Sequence, residues 1–257
     1  MIALLIALVA PPPFVVPLPR AHAHNDYAHP RPLHDALDHG FCSVEADVFL
    51  TNGKLLVGHS WPEIWLDVGG KRTLEALYLA PLRKRIRQRG AVYDARTPFF
   101  LMIDLKTDGS ATYAAVDTLL AKYADVLSIT RDEKHTPGPV TVVISGNVPR
   151  EVIRAQKLRY AGIDGRPGDL DSKASPDLMP WISDAWKFRW RGEGPMPERE
   201  RAKLREMIRL AHAAGRRVRF WATPENPAVW RELTAAGVDL LNTDQLGRLR
   251  DWLLNNP

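Results

Sequence analysis

The strongest constraint on the fold is a repeated alternation of short apolar runs with amphipathic helical patterns from Arg20 onward. Strands that alternate with helices form parallel sheets, because each helix returns the chain to the same edge of the sheet. Eight such runs predict a sheet that closes into a single (β/α)8 TIM barrel. The predicted strands are Ala21–Asn25, Ser43–Phe49, Pro98–Lys106, Val140–Gly146, Tyr160–Gly165, Leu178–Asp184, Arg217–Ala222 and Val238–Thr243.

Most of the helical patterns between these strands are followed by a glycine, which ends a helix at low cost by adopting the left-handed conformation. One connection departs from the pattern. Arg166–Asp177, between the fifth and sixth strands, is polar and rich in Gly, Pro, Asp and Ser, so we expect an irregular barrel there. The predicted helices are Pro32–His39, Thr73–Arg89, Ser110–Tyr123, Glu198–Ala214, Pro227–Ala236 and Gln245–Leu254.

The first twenty residues differ from the rest of the chain. Met1–Ala10 is apolar throughout and is followed by three prolines. It is too short for a membrane-spanning helix, which needs roughly 20 residues, and it resembles the apolar part of a secretory signal with cleavage after Ala10 or Ala23. We therefore expect a leader and proline-rich linker over 1–20, a barrel over 21–257, and export to the periplasm or the cell exterior. The alternative is an apolar N-terminus that packs on the barrel.

Composition excludes some kinds of site. The chain has one cysteine, Cys42, so an internal disulfide and a zinc site built from several thiolates are both excluded. Lys and Arg number 35 against 30 for Asp and Glu, which gives a net charge of +5. This mild excess suits an anionic substrate or surface and is far from that of a nucleic-acid-binding tail, so we expect no nucleic acid as a partner.

Two carboxylates lie on one face of the predicted second strand. Glu45 and Asp47 are two residues apart, so their side chains point the same way on a strand. Their neighbours are apolar, and two buried carboxylates repel each other and lose hydration unless a cation compensates them. Carboxylate oxygens favour hard cations such as Mg²⁺ or Ca²⁺. The pattern favours a divalent-cation site over a partly solvated strand that pairs with an Arg or Lys.

The next predicted strand adds a third carboxylate. Asp104 follows the apolar run Phe99–Ile103 and would be a further oxygen ligand. Lys106 lies two residues on, where it would hold a phosphate oxygen beside the metal; an ordinary surface ion pair is the alternative. Catalytic groups of TIM barrels lie at the carboxyl ends of the strands. The polar residues at these ends are His24, Asn25, Glu45, Asp47, Asp104, Lys106, Ser145, Asp184, Trp221 and Asp244.

Two histidines are candidates for proton transfer. His24 ends the first predicted strand, and His59 ends the run Lys54–His59. Brought to one rim, they would act as a general acid and a general base. His22 shares a face with His24 and is either a core residue or a support for the site, and His29 near the first rim loop stays a candidate. No role is assigned to His34, His39, His135 and His212.

The spacing of these residues resembles a known family. His24-Asn25, then Ser43–Leu50, Asn52-Gly53 and Val57-Gly58-His59 look like the opening signature of glycerophosphodiester phosphodiesterases. The wider phosphatidylinositol phospholipase C-like superfamily shares this signature in part.

Further strings refine the resemblance. His24-Asn25-Asp26-Tyr27, followed by Arg31-Pro32-Leu33 and Asp35-Ala36-Leu37, resembles most closely the branch that includes the fungal "altered inheritance of mitochondria" phosphodiesterase-like proteins. Ile103-Asp104-Leu105-Lys106-Thr107 is similar to the corresponding stretch of spider sphingomyelinase D. Trp221 and Asn242-Thr243-Asp244 match the motifs of the last two strands in these families.

The resemblance implies a metal-dependent phosphoric diester hydrolase of lipid metabolism that acts on a glycerophosphodiester or phospholipid-type substrate, a small molecule or lipid. It implies one Mg²⁺ or Ca²⁺ on Glu45, Asp47 and Asp104, with His24 as the base and His59 as the acid or the reverse. We expect a monomer without a transmembrane span. The residues assigned to substrate binding are Asn25, Lys106 and Trp221.

Three departures from the family pattern concern the substrate. Asn25 stands where an Arg usually follows the first His, and Ser60 stands where an acidic residue often follows the second. The insertion after the second His is reduced to roughly Ser60–Lys71. These changes put glycerophosphodiesters in question as substrates and leave the carboxylates and histidines intact.

Other functions compete with this interpretation. Amidohydrolases also begin with His-x-His after a first strand, but they need later histidines at strand ends, which His135 and His212 do not supply. A membrane-active lipase is a further alternative, based on the cluster Arg83–Arg89, although these residues spread around a helix as a solvated face does. The main alternative is a catalytically inactive barrel that binds a ligand or partner.

Overall fold

Eight parallel strands close into a barrel in the computed structural model, which describes residues 15–67 and 69–256. The strands of this part of the chain are β1 (Leu18–Ala23), β2 (Phe41–Thr51), β3 (Lys54–Val57), β4 (Phe99–Leu105), β5 (Ile129–Arg131), β6 (Lys134–Thr136), β7 (Val140–Gly146), β8 (Leu158–Arg159), β9 (Ala161–Gly165), β10 (Trp181–Ala185), β11 (Arg217–Trp221) and β12 (Leu240–Thr243). The barrel order is β1-β2-β4-β7-β9-β10-β11-β12, and β1 pairs with β12 to close the ring.

Helices cover the outside of the barrel. They are α1 (His34–Asp38), α2 (Trp61–Leu66), α3 (Ala80–Arg89), α4 (Gly109–Ala121), α5 (Arg150–Ala155), α6 (Glu198–Ala213), α7 (Pro227–Ala236) and α8 (Leu246–Asn255). No helix of the described residues is both long and apolar enough to span a bilayer. Glycines with positive φ follow α3 and α7, namely Gly90 and Gly237, as the sequence predicts.

The structure confirms the predicted (β/α)8 barrel. Each of the eight predicted strands is present, with ends that differ by three residues or fewer. The irregular connection is also present, because Arg166–Asp177 contains a short 3₁₀ turn, Pro167–Asp169, where an α-helix would stand in a regular barrel. The predicted helix Thr73–Arg89 begins instead as a π-turn, Glu75–Leu79. Pro81 explains this change, because it lacks the N–H that a regular helix would use there.

The predicted leader and linker overlap the first strand of the barrel, β1. Met1–Ala10 lies outside the described residues, so export stays a prediction. β1 begins at Leu18, within the predicted linker, and Ala23 is fully buried and paired with Thr243 of β12. Cleavage after Ala23 would therefore remove a barrel strand, which excludes that position as a processing site compatible with this fold.

Short elements extend the barrel beyond the prediction. β3 pairs antiparallel with the end of β2, and β5, β6 and β8 form a separate three-stranded sheet. The main apolar core lies between the barrel and its helices. A smaller apolar cluster fills the barrel interior with Phe100, Met102, Val143, Trp181 and Leu240. Buried polar side chains occupy the interior beside it, and these position the site described next.

Candidate active site

The three predicted metal ligands converge at the carboxyl ends of β2 and β4. Glu45 and Asp47 share a face of β2, and Asp104 lies directly opposite Asp47 in the parallel register of the two strands. One oxygen atom from each carboxylate lies within 4.8 Å of the others. The space for Asp104 comes from Gly146 at the end of β7. A Cβ atom there would lie 2.3 Å from Asp104 Oδ1, so a side chain at this position would displace the carboxylate.

Glu45 is compensated by a buried guanidinium. Arg219 Nη2 donates to Glu45 Oε2 at 2.7 Å, and His22 Nε2 lies 3.3 Å from the same oxygen. Burial opposes the charge on Glu45, but Arg219 and His22 outweigh it and lower the pKa of this carboxyl to about 2. Burial and Arg219 lower the pKa of His22 to about 4, so at neutral pH its neutral ring supports Glu45 from within the barrel.

The negative charges of Asp47 and Asp104 are offset less completely than that of Glu45. Lys106 Nζ lies 3.1 Å from Asp47 Oδ2 and 3.0 Å from Asp104 Oδ1, so one ammonium serves both carboxylates. Burial raises the pKa of Asp47 in spite of this ammonium. Burial together with the charges of Asp47 and Glu45 raises the pKa of Asp104 to about 6. Burial is the main cause of both shifts, and the neighbouring carboxylates add to it.

The donor set fits a hard divalent cation. Asp47 Oδ1 is buried and has no hydrogen-bond partner among the described residues, which is costly for a carboxylate oxygen unless a cation completes its environment. Carboxylate oxygens are the ligands that Mg²⁺ and Ca²⁺ prefer. Glu45, Asp47 and Asp104 would therefore hold one such ion.

His24 lies at the seam of the barrel, just after β1. Asp244, which follows β12, has Oδ1 2.8 Å from His24 Nδ1. Burial lowers the pKa of His24, but the hydrogen bond and charge of Asp244, with the charge of Glu45, outweigh it and raise the pKa. Nε2 makes no hydrogen bond to any described residue, so it is the ring nitrogen left for a substrate.

His59 lies after β3 and is the more exposed of the two predicted catalytic histidines. Its side chain is 65% exposed, against 25% for His24. His59 Nδ1 lies 3.1 Å from the Tyr27 hydroxyl, which donates to Asp47 Oδ2 at 2.7 Å or to Asn25 Oδ1 at 2.6 Å. The Tyr27 hydroxyl has one proton, so it donates to one of these acceptors at a time. Its oxygen connects His59 to the Asp47 carboxylate.

All eight predicted site residues line one cleft at the carboxyl ends of the strands. Asn25 adopts the left-handed conformation, with φ of 48°, and this turns its amide toward Tyr27 and His24. Trp221 lines the cleft and is 42% exposed, so part of its side chain is available to a ligand. His29 does not line the cleft, and Asp184 instead pairs with Lys187 at 2.6 Å.

The sequence prediction missed several residues of the cleft. Arg219 is one of them, although it shares a strand face with Trp221, two residues away, and that spacing was a usable signal. Asp164 accepts hydrogen bonds from Ser145 at 2.7 Å and from Trp181 at 2.7 Å, and pairs with Arg166. This network holds Ser145, Asp164 and Arg166 in the wall of the cleft and gives the buried Trp181 indole its hydrogen-bond acceptor.

Two family models match the chain. The model described as "AIM6-like phosphodiesterase domain" matches residues 14–163, and the model described as "Glycerophosphoryl diester phosphodiesterase family" matches residues 217–247. The two matches contain the carboxylates and histidines at one end of the chain and Arg219, Trp221 and Asp244 at the other.

Curated relatives agree with the family models. The altered inheritance of mitochondria protein 6 homolog of Arthroderma benhamiae is 30% identical, over 93% of this chain and 84% of that protein. The altered inheritance of mitochondria protein 6 of Lachancea thermotolerans is 29% identical, over 89% of this chain and 64% of that protein.

Crystal structures of two glycerophosphodiester phosphodiesterases are similar in fold. The enzyme from Parabacteroides distasonis matches with a TM-score of 0.53 and 16% identity, over 93% of this chain and 98% of the other. The enzyme from Agrobacterium tumefaciens matches with a TM-score of 0.50 and 17% identity, over 92% and 100%. At these identities the likeness supports the TIM-barrel fold.

Proposed function

The chain belongs to the family of AIM6-like phosphodiesterase domains, and from this premise we propose that it is a metal-dependent phosphoric diester hydrolase. The observation that carries the proposal is the convergence of Glu45, Asp47 and Asp104 in one cleft with His24 and His59. Three hard ligands beside two proton-transfer groups suit the cleavage of a phosphodiester, which needs charge stabilisation and proton transfer at both the attacking and leaving oxygens.

A divalent cation on Glu45, Asp47 and Asp104, Mg²⁺ or Ca²⁺, would supply Lewis-acid stabilisation of charge on the phosphodiester oxygens. Lys106 lies 3.0–3.1 Å from two of these carboxylates, and its ammonium would bind a non-bridging phosphate oxygen beside them. Asn25 would orient the diester from the His24 side of the cleft. Trp221 would form an apolar wall for the group attached to the phosphate.

His24 and His59 would each carry out one of the two proton transfers. His24 is the base, because Asp244 holds Nδ1 and leaves Nε2 to take a proton from the attacking water or substrate hydroxyl. His59 is the acid that protonates the leaving alkoxide, and its exposure places it where an alcohol can depart to solvent. The substrate class that follows is a glycerophosphodiester or a phospholipid-type diester.

Hydrolysis of bis(p-nitrophenyl) phosphate tests this function. We expect turnover that EDTA abolishes and that added Mg²⁺ or Ca²⁺ restores, with glycerophosphodiesters and lysophospholipids assayed in parallel. An enzyme preparation that turns over none of these diesters with either ion would contradict the proposal and favour an inactive, ligand-binding barrel.

The pH profile of an Asp244→Asn variant assigns the role of His24. Loss of the Asp244 charge lowers the pKa of His24. A base acts in its deprotonated form, so the acidic limb of kcat/KM should move to lower pH. If His24 were the acid, the alkaline limb would move to lower pH instead.

The matched control for this profile is Asp239→Asn. Asp239 pairs with His212 at 2.8 Å, a second His–Asp pair that lies away from the cleft. This variant should leave both limbs in place. If neither limb moves in Asp244→Asn, His24 is not the titrating group.

A further inference from the structure

The guanidinium of Arg219 lies beneath the carboxylate cluster and is almost fully buried. Its Nη2 donates to Glu45 Oε2 at 2.7 Å, its Nε donates to Asn242 Oδ1 at 2.9 Å, and its Nη1 lies 3.3 Å from the Met102 sulfur. Contacts on three sides fix the plane of the guanidinium. The position of Glu45 is therefore set from within the barrel.

Each carboxylate of the cluster has one oxygen committed to the protein. Glu45 Oε2 contacts Arg219 and His22, Asp47 Oδ2 accepts from Tyr27 and forms an ion pair with Lys106, and Asp104 Oδ1 forms an ion pair with Lys106. An oxygen that already binds a cationic group is a poor ligand for a second cation, because the two positive charges repel. The other oxygens, Glu45 Oε1, Asp47 Oδ1 and Asp104 Oδ2, have no hydrogen-bond partner among the described residues.

This pattern distinguishes between the two candidate ions. Ca²⁺ takes six to eight oxygens and often binds carboxylates through both oxygens, whereas Mg²⁺ takes six, keeps several waters and uses single carboxylate oxygens with substrate phosphates. Three one-oxygen ligands leave half of an octahedral shell for water and substrate. Arg219 and Lys106 also offset two of the three negative charges, which lowers the ligand charge that tight Ca²⁺ sites use.

We propose that Arg219 restricts Glu45 to a single metal-binding oxygen and thereby gives the site a preference for Mg²⁺ over Ca²⁺. Arg219 is a positioning residue, since Glu45 lies between it and the ion. The inference rests on the proposed function in one respect, namely that the cluster holds a divalent cation.

Calorimetric titration of the purified protein with MgCl₂ and with CaCl₂ tests the preference without an activity assay. Wild-type protein should bind Mg²⁺ more tightly than Ca²⁺. In Arg219→Met, Glu45 Oε2 loses its cationic partner and keeps only the ring of His22, 3.3 Å away, so the ratio of the two dissociation constants should shift toward Ca²⁺ by about tenfold or more. Arg219→Lys keeps the positive charge at this position and should move the ratio less than Arg219→Met does.

Arg217→Met is the matched control. Arg217 lies two residues earlier on the same face of β11, and its guanidinium packs over the Phe100 ring, 4.5 Å from the ring centroid. This variant removes an arginine from the same strand without touching Glu45, so the ratio should stay at the wild-type value. A general loss of barrel integrity would shift the ratio in both variants.

Thermal unfolding gives a second measurement. Arg219→Met leaves Glu45 buried without its guanidinium, which lowers stability, and an ion would then replace the missing charge. We expect Ca²⁺ to raise the Tm of Arg219→Met more than Mg²⁺ does, and Mg²⁺ to raise the wild-type Tm more than Ca²⁺ does.

The outcomes separate the two proposals. Wild-type protein that binds both ions but prefers Ca²⁺, or an Arg219→Met ratio equal to that of wild type, overturns the inference and leaves the proposed hydrolase intact. Wild-type protein that binds neither ion overturns the inference together with the metal dependence of the proposed function. If Arg219→Met fails to fold, a wild-type preference for Ca²⁺ still overturns the inference, and Arg219→Lys then tests the role of the arginine.

Discussion

Replacing His24 with alanine should lower kcat on bis(p-nitrophenyl) phosphate by about 10²–10⁴-fold, the usual contribution of a general base. The side chain lies in the cleft with Nδ1 held by Asp244, and it makes no contact that the barrel core needs. We therefore expect unchanged thermal stability and unchanged affinity for the divalent ion. A base is needed whatever the leaving group, so the loss should be similar on diesters with alkyl leaving groups.

The control for this variant is His34→Ala. His34 is an exposed residue at the start of α1, outside the cleft, and its removal should leave kcat at the wild-type value. Steady-state kinetics measures kcat of the two variants, and circular dichroism shows whether each is folded. Wild-type turnover by a folded His24→Ala protein would show that the base lies elsewhere.

Replacing Asp104 with asparagine should weaken Mg²⁺ binding by more than about 100-fold, beyond the 10–100-fold that changes outside the ligand set typically cost. The substitution keeps the shape of the side chain and removes one of the three anionic ligands. Burial raises the pKa of the Asp104 carboxyl to about 6, which means that its surroundings disfavour the charged form. The fold should therefore tolerate the neutral amide, and the free energy of unfolding should change little. Activity at fixed Mg²⁺ should fall by at least the same factor, and calorimetry with kinetics measures both.

Asp164→Asn is the matched comparison for Asp104→Asn. Asp164 is also a buried carboxylate of the cleft, but it pairs with Arg166 and lies outside the three-carboxylate cluster. Its loss should reduce stability, since it accepts three hydrogen-bonding groups, and should leave Mg²⁺ affinity within a few-fold of wild type. Equal loss of Mg²⁺ binding in both variants would contradict the assignment of the ligands.

The fold was predictable because its signal repeats along the chain. Each barrel strand is an apolar run of sufficient length, and glycines such as Gly90 and Gly237 mark the helix ends. The elements that the sequence did not predict are short. The helices α2 and α5 and the strands β5, β6 and β8 have two to six residues each. Such segments are too short to show the hydrophobic periodicity of a helix or a strand.

The residues of the candidate site could be predicted where charged side chains occur at strand spacing within an apolar run. Glu45 and Asp47 are conspicuous because they interrupt an apolar strand, and their shared face follows from their spacing. Arg219 shares a face of β11 with Trp221, so its place in the cleft had a local signal, but its ion pair did not, because its partner Glu45 is 174 residues away in sequence. Tyr27 was missed for a different reason. It lies in a 3₁₀ turn, Asp26–Ala28, whose orientation depends on packing against β2.

The bond between His24 and Asp244 joins residues 220 positions apart, across the seam where the first and last strands meet. During synthesis the ribosome releases the three clustered carboxylates and both histidines within the first half of the chain, whereas the carboxylate partner of His24 comes near the end. Contacts of such long sequence separation form slowly, because a large loop must close before they are made. A chain that ends before β11 would lack both Arg219, which positions Glu45, and Asp244, which orients His24, so the candidate site is complete only when the ring closes.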